Sequence, residues 1–286
     1  MNNIKYFFEY IFIVFLFLIF KIFGLKFSSF IGGKILNILG PFFRSKKLIK
    51  SNILKALPNA NQKEMNIIIK NMWNNYGRIL AEYMFMKDFR NSKLNTHLKI
   101  DGQEILENIK KNKEKVIFIS GHFNNFELMA MQIEKSGINV SAVYRPLNNI
   151  FLNKIMEDIR KNYICKNQIK KGKRGMRELL SSFKLGNSVA LMIDQRVSEG
   201  IRSQFFGEDA LTTTIPAQFV KKFNCKIVPI YIERINSLDF LMKINKPIQF
   251  NTNDSTQKIT KDLNSWMEQM ILNNPSQWIW THNRWK

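Results

Sequence analysis

The N-terminus carries the longest apolar segment of the chain. Residues Tyr10–Phe20 are uninterrupted by polar side chains, and extension to Tyr6–Leu25 gives about 20 residues, the length that spans a bilayer. Glu9 and Lys21 bracket the central run, and charged side chains at such positions can extend to the lipid headgroups. The pattern predicts a membrane-anchor helix.

A second apolar segment, Phe27–Phe43, follows the anchor but contains glycines and a proline, which interrupt helices. It is interpreted as an interfacial hairpin, with the basic cluster Arg44–Lys50 facing anionic lipid. Basic residues are far more frequent after the anchor than before it, which predicts a single anchor and a cytoplasmic main body. We assign residues 1–45 to the anchor and interfacial segment and residues 46–286 to an α/β domain.

Beyond the anchor, helical and strand patterns alternate. Asn61 and Glu64 form a helix-start pattern, and apolar positions at three- and four-residue spacing extend the helix to about Met86. Short apolar runs then alternate with helix-length segments, which predicts a mainly parallel sheet flanked by helices. Strands are predicted at Val116–Ser120, Asn139–Tyr144, Ser188–Ile193, Lys226–Ile232 and Phe240–Asn245, and helices at Asn125–Lys135, Ile150–Tyr163, Arg174–Leu185, Ile215–Phe223 and Thr256–Leu272.

The composition narrows the classes of partner. Lys and Arg total 44 against 22 Asp and Glu, a formal charge of +22, which predicts an anionic partner unless base composition of the gene explains the excess. The charges are dispersed and follow a lipid-like N-terminus, which favours a membrane surface over nucleic acid. Two cysteines exclude a disulfide scaffold and a Cys-built zinc site, so no metal is expected.

A histidine motif follows the predicted strand Val116–Ser120. Gly121 permits a sharp exit from that strand, His122 comes next, and Glu127 follows five residues later. Functional groups of parallel sheets lie at the carboxyl ends of the strands. The spacing favours His122 as a general base oriented by the Glu127 carboxylate, although a capping histidine in a polar loop fits the same pattern.

The motif also carries a resemblance. Gly121–Leu128 resembles the H-x4-E form of the glycerolipid acyltransferase motif, and the wider chain resembles the bacterial lipid A biosynthesis (lauroyl/myristoyl) acyltransferase family. Further stretches match that family in order, namely Val143–Leu147, Gly186–Arg196, Phe205–Gly207 with Thr212–Thr214 and Pro216-Ala217, and the Trp-rich tail Pro275–Lys286.

The resemblance implies a glycerol-3-phosphate acyltransferase-like fold. It also implies that the protein is located at the cell inner membrane. It further implies transfer of an acyl chain from acyl-carrier protein, or from coenzyme A, to a hydroxyl of a lipid A precursor or related glycolipid or lysolipid, without a cofactor. His122 would deprotonate the acceptor hydroxyl and Glu127 would orient His122. The hydroxyl would then attack the thioester directly, so no enzyme nucleophile is expected.

Four further residues are expected to bind substrate. Arg145 follows a predicted strand and suits a phosphate or a developing oxyanion, or else a surface salt bridge. Asp194, Gln195 and Arg196 end another strand, where Asp194 is expected to orient the site, to bind the sugar or carrier arm, or to cap a helix.

Two other functions remain open from the sequence. A membrane-anchored hydrolase would use the same pair on water, although the chain lacks the G-x-S-x-G pattern of serine esterases. A nucleic-acid-binding protein would explain the charge and leave the histidine motif without a role.

Overall fold

The computed structural model describes residues 2–286, and this part of the chain contains a seven-stranded sheet. Its order is β1-β9-β8-β2-β5-β3-β4, and all neighbours are parallel except β8 and β9. A separate antiparallel hairpin consists of β6 and β7. The strands are β1 (Leu98–Asp101), β2 (Ile117–Ser120), β3 (Val140–Tyr144), β4 (Asn167–Lys170), β5 (Ser188–Met192), β6 (Ile201–Phe205), β7 (Glu208–Thr212), β8 (Ile227–Arg234) and β9 (Phe240–Ile244).

Helices flank the sheet, which confirms the predicted class of fold. A 42-residue helical segment, broken at Gly24, comes first in the described chain, and shorter helices follow, both before β1 and between the strands. The helices are α1 (Asn2–Phe43), α2 (Lys46–Ala56), α3 (Gln62–Glu82), α4 (Met86–Arg90), α5 (Gln103–Lys111), α6 (Glu127–Lys135), α7 (Ile150–Ile159), α8 (Lys173–Lys184), α9 (Ile215–Phe223) and α10 (Thr256–Asn273).

The buried strands are found where the sequence predicts them, within two residues at each end. The predictions miss β1, β4 and the β6–β7 hairpin, in which exposed positions occur between the less exposed ones and leave no continuous apolar run. Helix α3 begins after Asn61 as predicted, with a capping box in which Asn61 N–H donates to Glu64 Oε2 at 2.8 Å. It ends at Glu82, before the predicted Met86, because a 3₁₀ turn intervenes.

The predicted hairpin within Phe27–Phe43 is wrong, because this segment is helical throughout. The chain bends before it, at Gly24, where Ser28 Oγ donates to Phe20 O at 2.6 Å. The one non-helical residue within α1 is Gly24, at φ 79° and ψ 170°. Gly32 lies inside the helix because α3 packs against it: a Cβ on Gly77 would lie 2.0 Å from Gly32 O. The glycines therefore permit close helix packing. By length and composition, α1 can cross a membrane, and it is the one described helix that can.

The topology brings two loops together. Strands β2 and β5 are parallel neighbours, with Ser120 opposite Met192 at their carboxyl ends. Every residue of β2 is buried, so the strand fixes the point at which the chain leaves the sheet. Consequently the loop that begins at Gly121 meets the loop that begins at Ile193.

Substitution of Gly77 by Val should separate α1 from α3. Overpacked sites typically lose about 1–3 kcal/mol, and the neighbouring atom here is backbone, so we expect a loss of about 3 kcal/mol. Chemical unfolding in detergent micelles measures the loss, with Lys70→Val, an exposed position on the same helix, as control. Equal stability of the two variants would contradict the packing described above.

Candidate active site

His122 is held by a carboxylate from the neighbouring loop. Its Nδ1 lies 2.8 Å from Asp194 Oδ1, and its backbone N–H donates to Asp194 Oδ2 at 2.8 Å. A Cβ on Gly121 would lie 2.8 Å from Met267 Sδ and 3.2 Å from Asp194 Cγ. The glycine therefore permits the close approach of Asp194 as well as the sharp exit from β2.

Asp194 is a buried anion. Its side chain is 0% exposed, and Trp278 Nε1 donates to Oδ2 at 2.8 Å. Burial alone would raise the pKa of Asp194, but the charge and the hydrogen bonds of His122, with the bond from Trp278, outweigh it and lower the pKa. Because an ionised carboxylate only accepts, Nδ1 of the neutral His122 ring carries the proton and Nε2 keeps a lone pair.

The other side of the His122 ring is accessible. The side chain is 22% exposed and lines a cleft, where Gln195 Nε2 lies 3.4 Å from His122 Nε2. The Phe126 ring packs edge-on at a centroid distance of 4.9 Å. Burial lowers the pKa of His122, but Asp194 and, to a smaller extent, Glu127 raise it, so the net pKa lies above the ordinary value. A base with this arrangement can accept a proton at Nε2.

Glu127 does not make the contact with the His122 ring that the spacing predicts. It is the first residue of α6, and its Oε1 accepts from Arg160 Nε at 2.8 Å, from Arg160 Nη2 at 2.7 Å and from Tyr83 O–H. A guanidinium offers this carboxylate a permanent charge and two donors, which a neutral imidazole lacks. The carboxylate that is hydrogen-bonded to the His122 ring is Asp194.

Arg160 lies at a π-helical turn that continues α7, a distortion often found at functional sites. Burial lowers its pKa, but Glu127 and Tyr83 raise it, with a net increase. Its Nη1 is buried without a hydrogen-bond partner among residues 2–286, and the residue lines the cleft. Sequence reasoning missed Arg160, Tyr83 and Trp278, because the contacts that define them join residues 33, 44 and 84 positions apart.

The cleft has a volume of about 490 Å³, within the range of about 300–1,000 Å³ common for ligand sites. Apolar side chains from the sheet and α6 form its walls, and exposed cations stand at its edge. The wall residues include Phe118, Met129, Ala130, Ile133, Ala142 and Ala190, and the edge cations are Arg44, Arg145 and Lys171.

The other predicted site residues differ in position. Arg145 and Gln195 line the cleft, as expected of substrate-binding residues, whereas Asp194 lies beneath His122 and does not. Arg196 is bound to the C-terminal tail: its N–H donates to His282 Nε2 at 3.0 Å and its Nε donates to Lys286 O at 2.9 Å. Burial lowers the pKa of His282 to about 4, so this ring is neutral at physiological pH.

Neither cysteine suits nucleophilic chemistry. Both are buried and free, and burial raises the pKa of Cys165 to about 12 and that of Cys225 to about 11. No cluster of His, Cys, Asp or Glu that could hold a metal ion occurs within residues 2–286.

A buried ion pair supports the loop after His122. Arg234 donates to both oxygens of Glu82, at 2.7 and 3.0 Å, and its Nε donates to Asn124 Oδ1 at 3.2 Å. Asn125 Nδ2 also donates to Glu82, at 3.1 Å, and Ser29 Oγ does so from α1 at 2.8 Å. The loop is thus fixed from below by residues of α1, α3 and β8.

The Asp194→Asn variant should have a lower His122 pKa than the wild type, because the main influence that raises it is removed. NMR titration of the histidine rings measures this, and His97, paired with Asp239 at 2.8 Å, provides an internal control. Glu127→Gln should lower the His122 pKa less, since its electrostatic contribution is the smaller. An unchanged His122 titration in Asp194→Asn would contradict the pairing.

Comparison with known proteins identifies the family. The model of the bacterial lipid A biosynthesis acyltransferase family matches residues 1–286. The chain is 20% identical over 263 residues to a lipid A biosynthesis palmitoleoyltransferase of Escherichia coli K12, covering 90% of this chain and 84% of the relative. It is 21% identical over 246 residues to a lipid A biosynthesis acyltransferase 2 of Shigella flexneri, covering 83% and 76%. The chain belongs to the bacterial lipid A biosynthesis acyltransferase family.

Proposed function

We propose that this protein transfers a fatty acyl group from an acyl thioester to a hydroxyl of a lipid A precursor or related glycolipid. The observation that carries the proposal is His122, paired with a buried carboxylate at Nδ1 and accessible at Nε2 in a cleft with apolar walls. Membership of an acyltransferase family supports the reaction type.

The proposed reaction needs one base and no covalent enzyme intermediate. His122 Nε2 removes the proton of the acceptor hydroxyl as its oxygen attacks the thioester carbonyl carbon. The tetrahedral intermediate then collapses and the carbon–sulfur bond breaks. The leaving thiolate accepts the proton that the His122 imidazolium carries. Asp194 stabilises that imidazolium and holds the ring in the required tautomer.

Arg160 is the proposed oxyanion donor. Its Nη1 is buried without a partner among the described residues, and Arg160 lines the same cleft as His122. A fixed cationic donor is most effective where negative charge develops away from water, as on the carbonyl oxygen during attack. In this scheme Glu127 is a positioning residue that acts through Arg160, and Tyr83 supports both.

The walls and the edge of the cleft have different proposed ligands. The apolar walls suit the acyl chain, since burial of methylene groups contributes about 0.8 kcal/mol each. Arg145 and Lys171 at the edge suit anionic groups of the acceptor or donor. Gln195, 3.4 Å from His122 Nε2, is proposed to contact the acceptor hydroxyl.

We infer that acyl-carrier protein is the donor and that the reaction takes place at the cytoplasmic face of the inner membrane. The net charge of +22 suits an acidic carrier protein and an anionic membrane surface. Two free thiols are consistent with a reducing compartment. Parallel assays with acyl-carrier protein and coenzyme A thioesters distinguish the donors.

The His122→Ala variant should lose about 10²–10⁴-fold in acyl-transfer rate, the usual contribution of a positioned base. Mass spectrometry of the acceptor lipid after incubation with the acyl thioester measures the product. His97→Ala, at a surface histidine outside the cleft, should retain full activity. Wild-type release of free fatty acid with no acylated lipid would instead indicate a hydrolase, and an active His122→Ala would contradict the proposal.

The Arg160→Lys variant should lose about 10²–10³-fold in kcat with little change in KM, because an oxyanion contact forms only in the transition state. Steady-state kinetics measures the two parameters separately, and a melting curve checks folding. Arg174→Lys, at an exposed ion pair with Glu178, is the matched control. An increase in KM at constant kcat would reassign Arg160 to substrate binding.

A further inference from the structure

Helix α1 contacts the rest of the protein along its whole length. Near its start, Asn149 Nδ2 donates to Tyr6 O at 2.9 Å, and the Phe7 ring packs edge-on against Phe151 at a centroid distance of 5.7 Å. Further along, Phe17 and Phe20 are buried in a cluster with Ala81 of α3. The N-terminal half of α1 therefore lies against α3 and α7 and does not project away from the domain.

The two halves of α1, before and after the break at Gly24, each expose apolar residues, and in the second half exposed Lys26 and Lys34 lie among them. The exposed apolar residues recur at helical spacing on both sides of the break at Gly24, and none of them packs into the core. We call this set the apolar stripe; it consists of Ile4, Phe8, Ile11, Phe12, Phe15, Leu18, Ile22, Phe23, Phe27, Phe30, Ile38, Leu39, Phe42 and Phe43. Soluble surfaces rarely expose so many apolar residues close together, which marks the stripe as a contact surface.

In the half of α1 before Gly24, charged residues border the apolar stripe. At about 100° per residue, Lys5 and Glu9 fall on one side of the stripe, and Lys21 falls on the other. Lys5 Nζ lies 3.7 Å from Glu9 Oε1. A helix that lies in a membrane interface carries its charges in this way, at the level of the headgroups on either side of its apolar face.

A spanning orientation would carry polar elements into the hydrocarbon. The loop and helix beside Tyr6 include Asn148 and Lys154, both of which are exposed. Polar groups without partners are costly in the bilayer core. To span, α1 would have to leave α7 and expose Phe17 and Phe20, which are 4% and 2% exposed in the docked helix.

We propose that α1 lies in the plane of the membrane, with the apolar stripe in the acyl layer of one leaflet and the protein on the aqueous side. The basic residues after α1, including Arg44 and Lys47, then face anionic headgroups. Leu147 and Ile150, 40% and 58% exposed, extend the apolar stripe beside Phe151. Because Leu147 also lines the cleft, the cleft opens at the bilayer surface and a lipid enters it laterally.

The side of the membrane on which residue 5 lies tests this proposal. Lys5→Cys and Lys111→Cys, an exposed position on α5, are expressed separately in the full chain and exposed to a membrane-impermeant maleimide. Cys165 and Cys225, 0% and 5% exposed, give little background. Both variants should be labelled in the same preparation, either inverted or right-side-out vesicles. Labelling in opposite preparations would show that α1 spans and would overturn the proposal.

A second measurement tests the docked position of α1. In membranes, a short bis-maleimide should link the cysteines of the double variant Phe7→Cys with Phe151→Cys. It should fail to link Phe15→Cys with Phe151→Cys, because Phe15 is 59% exposed on the apolar stripe two turns away. If the first pair does not form a cross-link, α1 is not docked in the membrane and the proposal fails even with same-side labelling. Both measurements are independent of acyl-transfer activity.

Discussion

A carboxylate removed from water costs several kcal/mol unless donors surround it, and Asp194 has three. Two come from His122, through its backbone N–H and ring Nδ1, and the third comes from the Trp278 indole. Because these donors surround one carboxylate, the end of β2, the end of β5 and the C-terminal tail are held together. This arrangement also explains Gly121, whose missing Cβ leaves space beside the carboxylate. The His122 tautomer follows from burial of an anion.

The two carboxylates of the site have different partners, an imidazole and a guanidinium. Asp194 holds the imidazole, which can gain or lose a proton, whereas Glu127 holds the Arg160 guanidinium, which remains charged. One pair can therefore move a proton while the other provides a constant field. A single carboxylate serving both groups would weaken each, because the ring needs a strong acceptor at Nδ1 and the guanidinium needs to be held rigidly.

The sequence alone predicted the inner strands of the sheet and the position of His122 at a strand end. Continuous apolar runs and the exit at Gly121 are local signals, and the structure has the strands and the exit where these signals predict them. The sequence alone could not predict which carboxylate faces His122. Glu127 is five residues away but enters α6, where Arg160 competes for it, whereas Asp194 is 72 positions away and is brought close by the pairing of β2 with β5. Spacing along the chain is a poor guide wherever sheet topology decides proximity.

The ion pair of Glu82 and Arg234 links the N-terminal helix with the loop that carries His122. Ser29 of α1 and Asn125 of the loop donate to the same carboxylate, and removal of one partner of such a buried pair typically costs about 3–5 kcal/mol. A domain boundary at residue 45, which composition suggests, stays a prediction, but residues on its two sides share this network. Since the network also holds Asn124 through Arg234, a displacement of α1 would be transmitted to the loop beside His122. The N-terminal helix and the loop that carries His122 are thus coupled through one buried ion pair.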